Sequence, residues 1–187
     1  MKKFFKPVFS AVMVALATVL SLISLWKLPL GGSVTPASML PIMLVAYVFG
    51  IKWGLVSSFV YAIIQAMLSL SEVMSWGMSS TVVVACILLD YIIAYTVLGL
   101  CGCAKKLPIK NNILKFGIGM IFVVLLRFVS HFISGVVLFS EWAVFQPVWL
   151  YSIAYNGAFL GLDLAICVVA GLLLYTPAEK ELKKLVH

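Results

Sequence analysis

Apolar residues run almost without interruption through six stretches of this chain, at roughly 7–26, 37–50, 54–71, 79–100, 113–140 and 147–175, with short polar links between them. The runs are continuous, whereas barrel strands alternate in polarity over short segments. Stretches of about 20 apolar residues match ~30 Å of bilayer hydrocarbon, where a helix satisfies its own backbone without water. The pattern predicts an all-α, polytopic membrane protein: a bundle of six transmembrane helices forming one domain over residues 1–187. The second stretch is short, contains Pro41 and follows Gly31-Gly32. Irregular backbone is expected there, as is tolerated at membrane depth when protein or a cavity surrounds it. The fifth and sixth stretches are long enough to tilt or project. No internal repeat, low-complexity tract or long linker interrupts the series.

Composition excludes the alternatives. With 64% hydrophobic and 10% charged residues, the chain lacks the polar surface of a soluble domain. Lys2, Lys3 and Lys6 ahead of an apolar run resemble a secretory leader, but no small-x-small cleavage site follows, so the run is read as the first span. Lys2, 3, 6, 52, 105, 106, 110, 115, 180, 183 and 184 fall on one side of the expected topology and Lys27 alone on the other. By the positive-inside rule this predicts a multi-pass protein of the cell membrane with both termini cytoplasmic. The net charge of +7 is thus a topology signal, and no nucleic-acid partner is expected. The tail from Pro177 reads as a solvated helix end. Cys86 and Cys167 fall inside spans as small apolar residues, and Cys101 and Cys103 fall where the fourth span leaves the membrane. A lone C-x-C completes neither a metal site nor a disulfide framework, and no metal or cofactor is expected.

Four ionisable side chains, Asp90, Arg127, His131 and Asp163, lie within the spans. Each costs roughly 2.5–3.5 kcal/mol at a helix centre on insertion scales, and such residues face the bundle interior. A structural reading pairs Asp90 or Asp163 with Arg127. A functional reading gives them a ligand. Arg127 and His131, four apart, share a helix face that Gly135 extends. Ser152, Asn156, Phe159 and Asp163 follow at i, i+4, i+7 and i+11, forming one stripe on the last span. Asp90 adjoins Tyr91, and Phe139, Trp142, Trp149, Tyr151 and Tyr155 gather near one end of the last two spans. For Trp142 and Trp149 an interfacial belt is the simpler role; Phe139 and Tyr151 flank the polar stripe and suit a pocket wall as well. Aromatics with one or two carboxylates fit a small, flat, cationic or amine-bearing ligand. Ala11 and Ala15, four apart, allow another helix to approach closely, within this chain or from a separate subunit. No phosphate-binding loop, G-x-S-x-G or H-E-x-x-H occurs, so an enzyme is not expected and uptake would draw on an ion gradient or a partner.

Three segments carry a resemblance. They are Arg127-Phe-Val-Ser-His131-Phe-Ile-Ser-Gly135-Val-Val with Trp149-Leu-Tyr151-Ser-Ile-Ala-Tyr155-Asn156; Gly31-Gly-Ser33-Val-Thr35 leading to Ser38-Met-Leu-Pro41-Ile; and Leu89-Asp90-Tyr91 running to Gly102. Together they resemble the thiamin-specific S-components of energy-coupling factor (ECF) transporters, over most of the chain. The resemblance implies a thiamin-binding membrane subunit without catalysis, working with a transmembrane coupling subunit and two ATPases. It implies substrate contacts at Asp90, Tyr91, Arg127, His131, Phe139, Tyr151 and Asn156, with Asp163 as a second charge, and coupling-subunit contact at Ala11 and Ala15. Family members often have Glu at the position of Asp90 and some have Trp at Phe139. An S-component for another vitamin such as riboflavin, or a stand-alone ion-coupled carrier using Asp90, His131 and Asp163, are the rival readings. An intramembrane enzyme using His131 with Asp90 is a third, without a motif to support it.

Overall fold

A computed structural model describes the backbone of residues 2–186 and the side chains of 4–177, and among these residues six main helices, one small hairpin and two short 3-10 turns are found. The helices are α1 (Lys2–Ser21), α2 (Leu40–Phe49), α3 (Ile51–Ser75), α4 (Ser80–Lys106), α5 (Asn112–Val137) and α6 (Val148–Val186). The hairpin, β1 (Trp26–Lys27) and β2 (Ser33–Val34), lies between α1 and α2 and pairs antiparallel with Trp26 opposite Val34. Five of the helices are long and apolar enough to cross a membrane. The fold is therefore the all-α membrane bundle that the apolar pattern predicts.

The boundaries differ from expectation in instructive ways. The second stretch yields a helix of 10 residues, about 15 Å long and half a bilayer's hydrocarbon. Residues 37–39 remain outside it, and Pro41 sits in its first turn, where its missing N–H costs nothing. Nearly every α2 side chain is buried, including Ile42, Met43, Val45 and Ala46. Being apolar all round, the shortest helix occupies the centre of the bundle. Its N–H at Gly50 closes the last turn onto Ala46 O, and Gly50 (φ +89°) then turns directly into α3. The cytoplasmic loop expected at 51–53 is instead helix.

The fourth helix also outruns its expected end. It continues to Lys106, so Cys101 and Cys103 are helical and Cys101 is fully buried. Small residues explain this. A Cβ on Gly99 would lie 2.6 Å from Gly54 C, one on Gly102 within 3.0 Å of Ile51 N, and one on Gly119 2.9 Å from Cys101 Sγ. Backbones thus meet backbones where α3, α4 and α5 cross, and the end of the bundle beside α2 is solid. The fifth helix ends at Val137, before Phe139. The exposure of the tail from residue 178 lies outside the described side chains.

Within α4 the turn from Ile87 to Ile93 is π-helical. Such wide turns occur at functional sites, and this one contains Asp90 and Tyr91. A polar ladder ties α1 to α3: Trp53 Nε1 donates to Ser10 Oγ at 2.6 Å and Gln65 Nε2 to Ser21 Oγ at 2.7 Å. The opposite face of α1, with Val8, Ala11, Val12, Ala15 and Leu16, is exposed.

Candidate functional site

At the end of the bundle away from the glycine crossings the helices part around a cavity of about 310 Å³. The last turn of α1, the ends of α3 and α5, the starts of α4 and α6 and the loop of residues 22–38 all line it. The volume falls at the lower end of the ~300–1,000 Å³ usual for small-molecule pockets.

All eight residues singled out as substrate contacts border this cavity: Asp90, Tyr91, Arg127, His131, Phe139, Tyr151, Asn156 and Asp163. Asp90 is the most engaged. Its Oδ1 lies 2.8 Å from His131 Nδ1, and its Oδ2 accepts from Ser134 Oγ at 2.5 Å and from the Cys86 thiol at 3.4 Å. Arg127 Nε donates to His131 Nε2 at 3.3 Å. With Nε2 accepting, the imidazole proton sits on Nδ1 and is given to Asp90, so one tautomer serves both neighbours. The structural alternative, direct pairing of Arg127 with Asp90 or Asp163, is not among the ion pairs of the described residues. The guanidinium lies instead on the face of Tyr95, 4.1 Å from the ring centre, with one nitrogen 2.8 Å from Met39 Sδ. Both contacts suit a weakly hydrated planar cation.

The stripe on α6 is divided between protein and cavity. Asn156 Nδ2 turns inward to Ser152 O, Ser152 Oγ and His131 O at 3.0, 3.2 and 3.3 Å. The amine is thereby used by the protein, leaving the amide oxygen as the group on offer. A Cβ at Gly135 would collide with Ser152 Oγ, so the absence of a side chain there lets α5 and α6 close beside the site. Asp163, 3% exposed, accepts at Oδ1 from Thr35 N (2.8 Å) and Thr35 Oγ1 (3.1 Å). Its contacts are to the loop between α1 and α2.

Aromatic rings form the walls. Trp76 meets Phe139 edge-on at 5.9 Å, and Tyr151, Tyr155 and Phe159 follow one another along α6 at 5.9 and 5.8 Å. Trp149 is exposed and stands outside the cavity lining, as an interfacial belt residue would; Trp142 reaches the site only through Phe139, 5.9 Å away. The sequence reading missed the wall made by the end of α3 and its C-cap residue: Gln65, Ser69, Glu72 and Trp76. They recur at i, i+4, i+7 and i+11, the same spacing as the recognised stripe on α6, but the third span was expected to end at 71. At the mouth Lys27 and Glu72 pair at 3.1 Å, with 60% and 41% of their side chains exposed. Among the described residues no cluster of His, Cys, Asp or Glu could hold a metal.

A bundle of membrane-spanning helices around a cavity lined by aromatic and polar side chains is the build of a membrane protein that handles a small solute. The chain belongs to the thiamine transporter protein family, whose sequence pattern matches residues 8–183. It is 30% identical over 184 residues to the thiamine transporter ThiT of Bacillus subtilis, covering 92% of this chain and 91% of the relative. A solved structure of ThiT from Listeria monocytogenes shares the fold, with a TM-score of 0.69 at 21% identity over 100% of this chain and 99% of that one.

Proposed function

We propose that this chain is the thiamin-capturing S-component of an ECF-type importer, which binds its ligand from outside the cell and passes it on with the help of partner subunits. The observation that carries the reading is the placement of Asp90 on the wall of an aromatic cavity, paired with a neutral imidazole and two neutral donors. None of those neighbours cancels its charge. Arg127 and Asp163 offset one another nearby, so with both carboxylates ionised the lining carries one net negative charge. Thiamin's thiazolium is permanently cationic, whereas a neutral ligand such as riboflavin would leave that charge unanswered.

The aminopyrimidine would stack against Phe139 and Tyr151 and present its amine to the Asn156 oxygen, with Tyr91 and His131 completing the surround. Both termini are assigned to the cytoplasm on the lysine asymmetry, which puts the cavity mouth outside. ATP hydrolysis and the coupling subunit must come from elsewhere, since the sequence holds no phosphate-binding loop. The outward face of α1 at Ala11 and Ala15 is the proposed contact with that subunit.

Three measurements test this. Mass spectrometry of small molecules released from the purified protein, followed by titration, should find thiamin bound in preference to riboflavin. Uptake in cells should stop when the partner ATPases are deleted with ion gradients intact; persistence of uptake would instead make the chain a stand-alone carrier. A cysteine placed at Ser75 should react with reagent added outside, and reaction only in inverted vesicles would reverse the assigned orientation.

A further inference from the structure

The loop that borders the cavity contains a turn with left-handed backbone that a side chain from α6 braces. Leu30 has φ +60° and Gly31 φ +89°. A non-glycine residue in the left-handed region is uncommon and persists where surrounding contacts over-determine it. The hairpin closes the turn with one backbone bond, Leu28 N–H to Gly32 O at 2.7 Å, and one side chain clasps it from outside. The Tyr155 hydroxyl accepts from Gly32 N at 3.0 Å and donates to Pro29 O, closing a bracket around Leu30 and Gly31 from both ends. Two turns further along α6, Asp163 holds the same loop again through the backbone N–H and hydroxyl of Thr35. The closeness of the fit is visible at Gly32, where an added Cβ would lie 2.7 Å from the Tyr155 oxygen and 3.1 Å from Phe159.

We infer that Tyr155 is a positioning residue for the binding site: its hydroxyl clasps the left-handed turn at Pro29–Gly32 and so holds Leu30 and Gly31 in the cavity wall. The consequence for the site is direct. A Cβ at Gly31 would sit 3.2 Å from the Trp76 ring, so this turn and Trp76 form one continuous surface. Asp163, whose Oδ1 is committed to Thr35, is the second fastener of the loop. On this view the ring of Tyr155 borders the ligand and its hydroxyl serves the loop.

Tyr155→Phe removes the clasp and keeps the ring. Hydrogen exchange followed by mass spectrometry on the full-length protein should show the segment 28–36 exchanging about tenfold faster in Tyr155→Phe, as two hydrogen bonds are lost. The segment 40–49 should be unchanged. Gly32→Ala, which pushes the hydroxyl away from the other side, should likewise accelerate exchange at 28–36. Equal acceleration in both segments, or none at 28–36, would overturn the clasp. The inference uses the proposed ligand only in its last arm: thiamin should leave Tyr155→Phe several-fold faster than wild type, with little change in melting temperature. A loosened loop with unaltered thiamin release would refute the positioning role. Failure of wild type to bind thiamin would count against the ligand assignment alone, since the exchange data judge the clasp without it.

Discussion

His131 Nδ1 and Asp90 Oδ1 lie 2.8 Å apart, joining α5 to the π-helical turn of α4 in the cavity wall. The bond fixes the carboxylate with donors on both oxygens. Asp90→Asn keeps the shape but has one oxygen for two donors, His131 and Ser134, so an amide N–H must face one of them. Thiamin affinity is expected to fall by about 1.5–3 kcal/mol, the range for a charge-assisted bond, or roughly ten- to a hundred-fold in Kd. The check is a titration of wild type and variant beside their thermal unfolding. A variant that melts early yet binds normally would assign Asp90 to structure alone.

Trp76 should be the fluorescent reporter of binding. It borders the cavity, whereas Trp149 is 52% exposed on the outside of the bundle. Thiamin should quench the intrinsic fluorescence of wild type; Trp76→Phe should lose most of that signal, and Trp149→Phe should retain it. The reverse pattern would place the ligand elsewhere.

Close backbone contact makes the solid end of the bundle intolerant of any side chain. Gly99→Ala would bring a Cβ to within 2.6 Å of Gly54 C, and overpacking of this kind costs about 1–3 kcal/mol. Thermal unfolding should move down accordingly. Gly161→Ala is the control: nothing lies within 4 Å of its Cβ position, and alanine favours helix, so the melting temperature should hold or rise.

Ala11→Trp with Ala15→Trp should separate capture from uptake. Both positions are exposed and on the face of α1 opposite its bonds to α3. Bulky rings there would block close approach of a partner helix. Thiamin binding by the purified variant should match wild type while uptake in cells falls. Parallel loss of both would mean the two alanines serve internal packing.

Helical periodicity carried far in this sequence because each helix face is set locally. Arg127 and His131 share a cavity face as their spacing requires, and the Ser152–Asp163 stripe turns inward as a whole. Which group meets which is decided between helices and was not legible: the carboxylate found His131, while Arg127 found the Tyr95 ring. The π-helical turn escaped notice because Ile87–Ile93 has an ordinary apolar composition. The Gln65–Trp76 stripe was hidden by a boundary, since hydropathy falls at Ser71-Glu72 while the helix continues to Ser75. Hydropathy reports lipid contact, and a helix end that borders a polar cavity has less of it.

The brevity of α2 has an electrical consequence. With only ten residues of helix at its centre, the bundle is dense protein through roughly half the membrane and an open cavity through the rest. A transmembrane voltage drops mainly across the low-dielectric, glycine-packed half, so a cation bound at the proposed site beside Asp90 would have traversed little of the field. Capture should therefore be nearly indifferent to membrane potential. In the proposed importer the work of about 2.3 kcal/mol per charge per 100 mV would fall instead on the later step that delivers the cation to the inside.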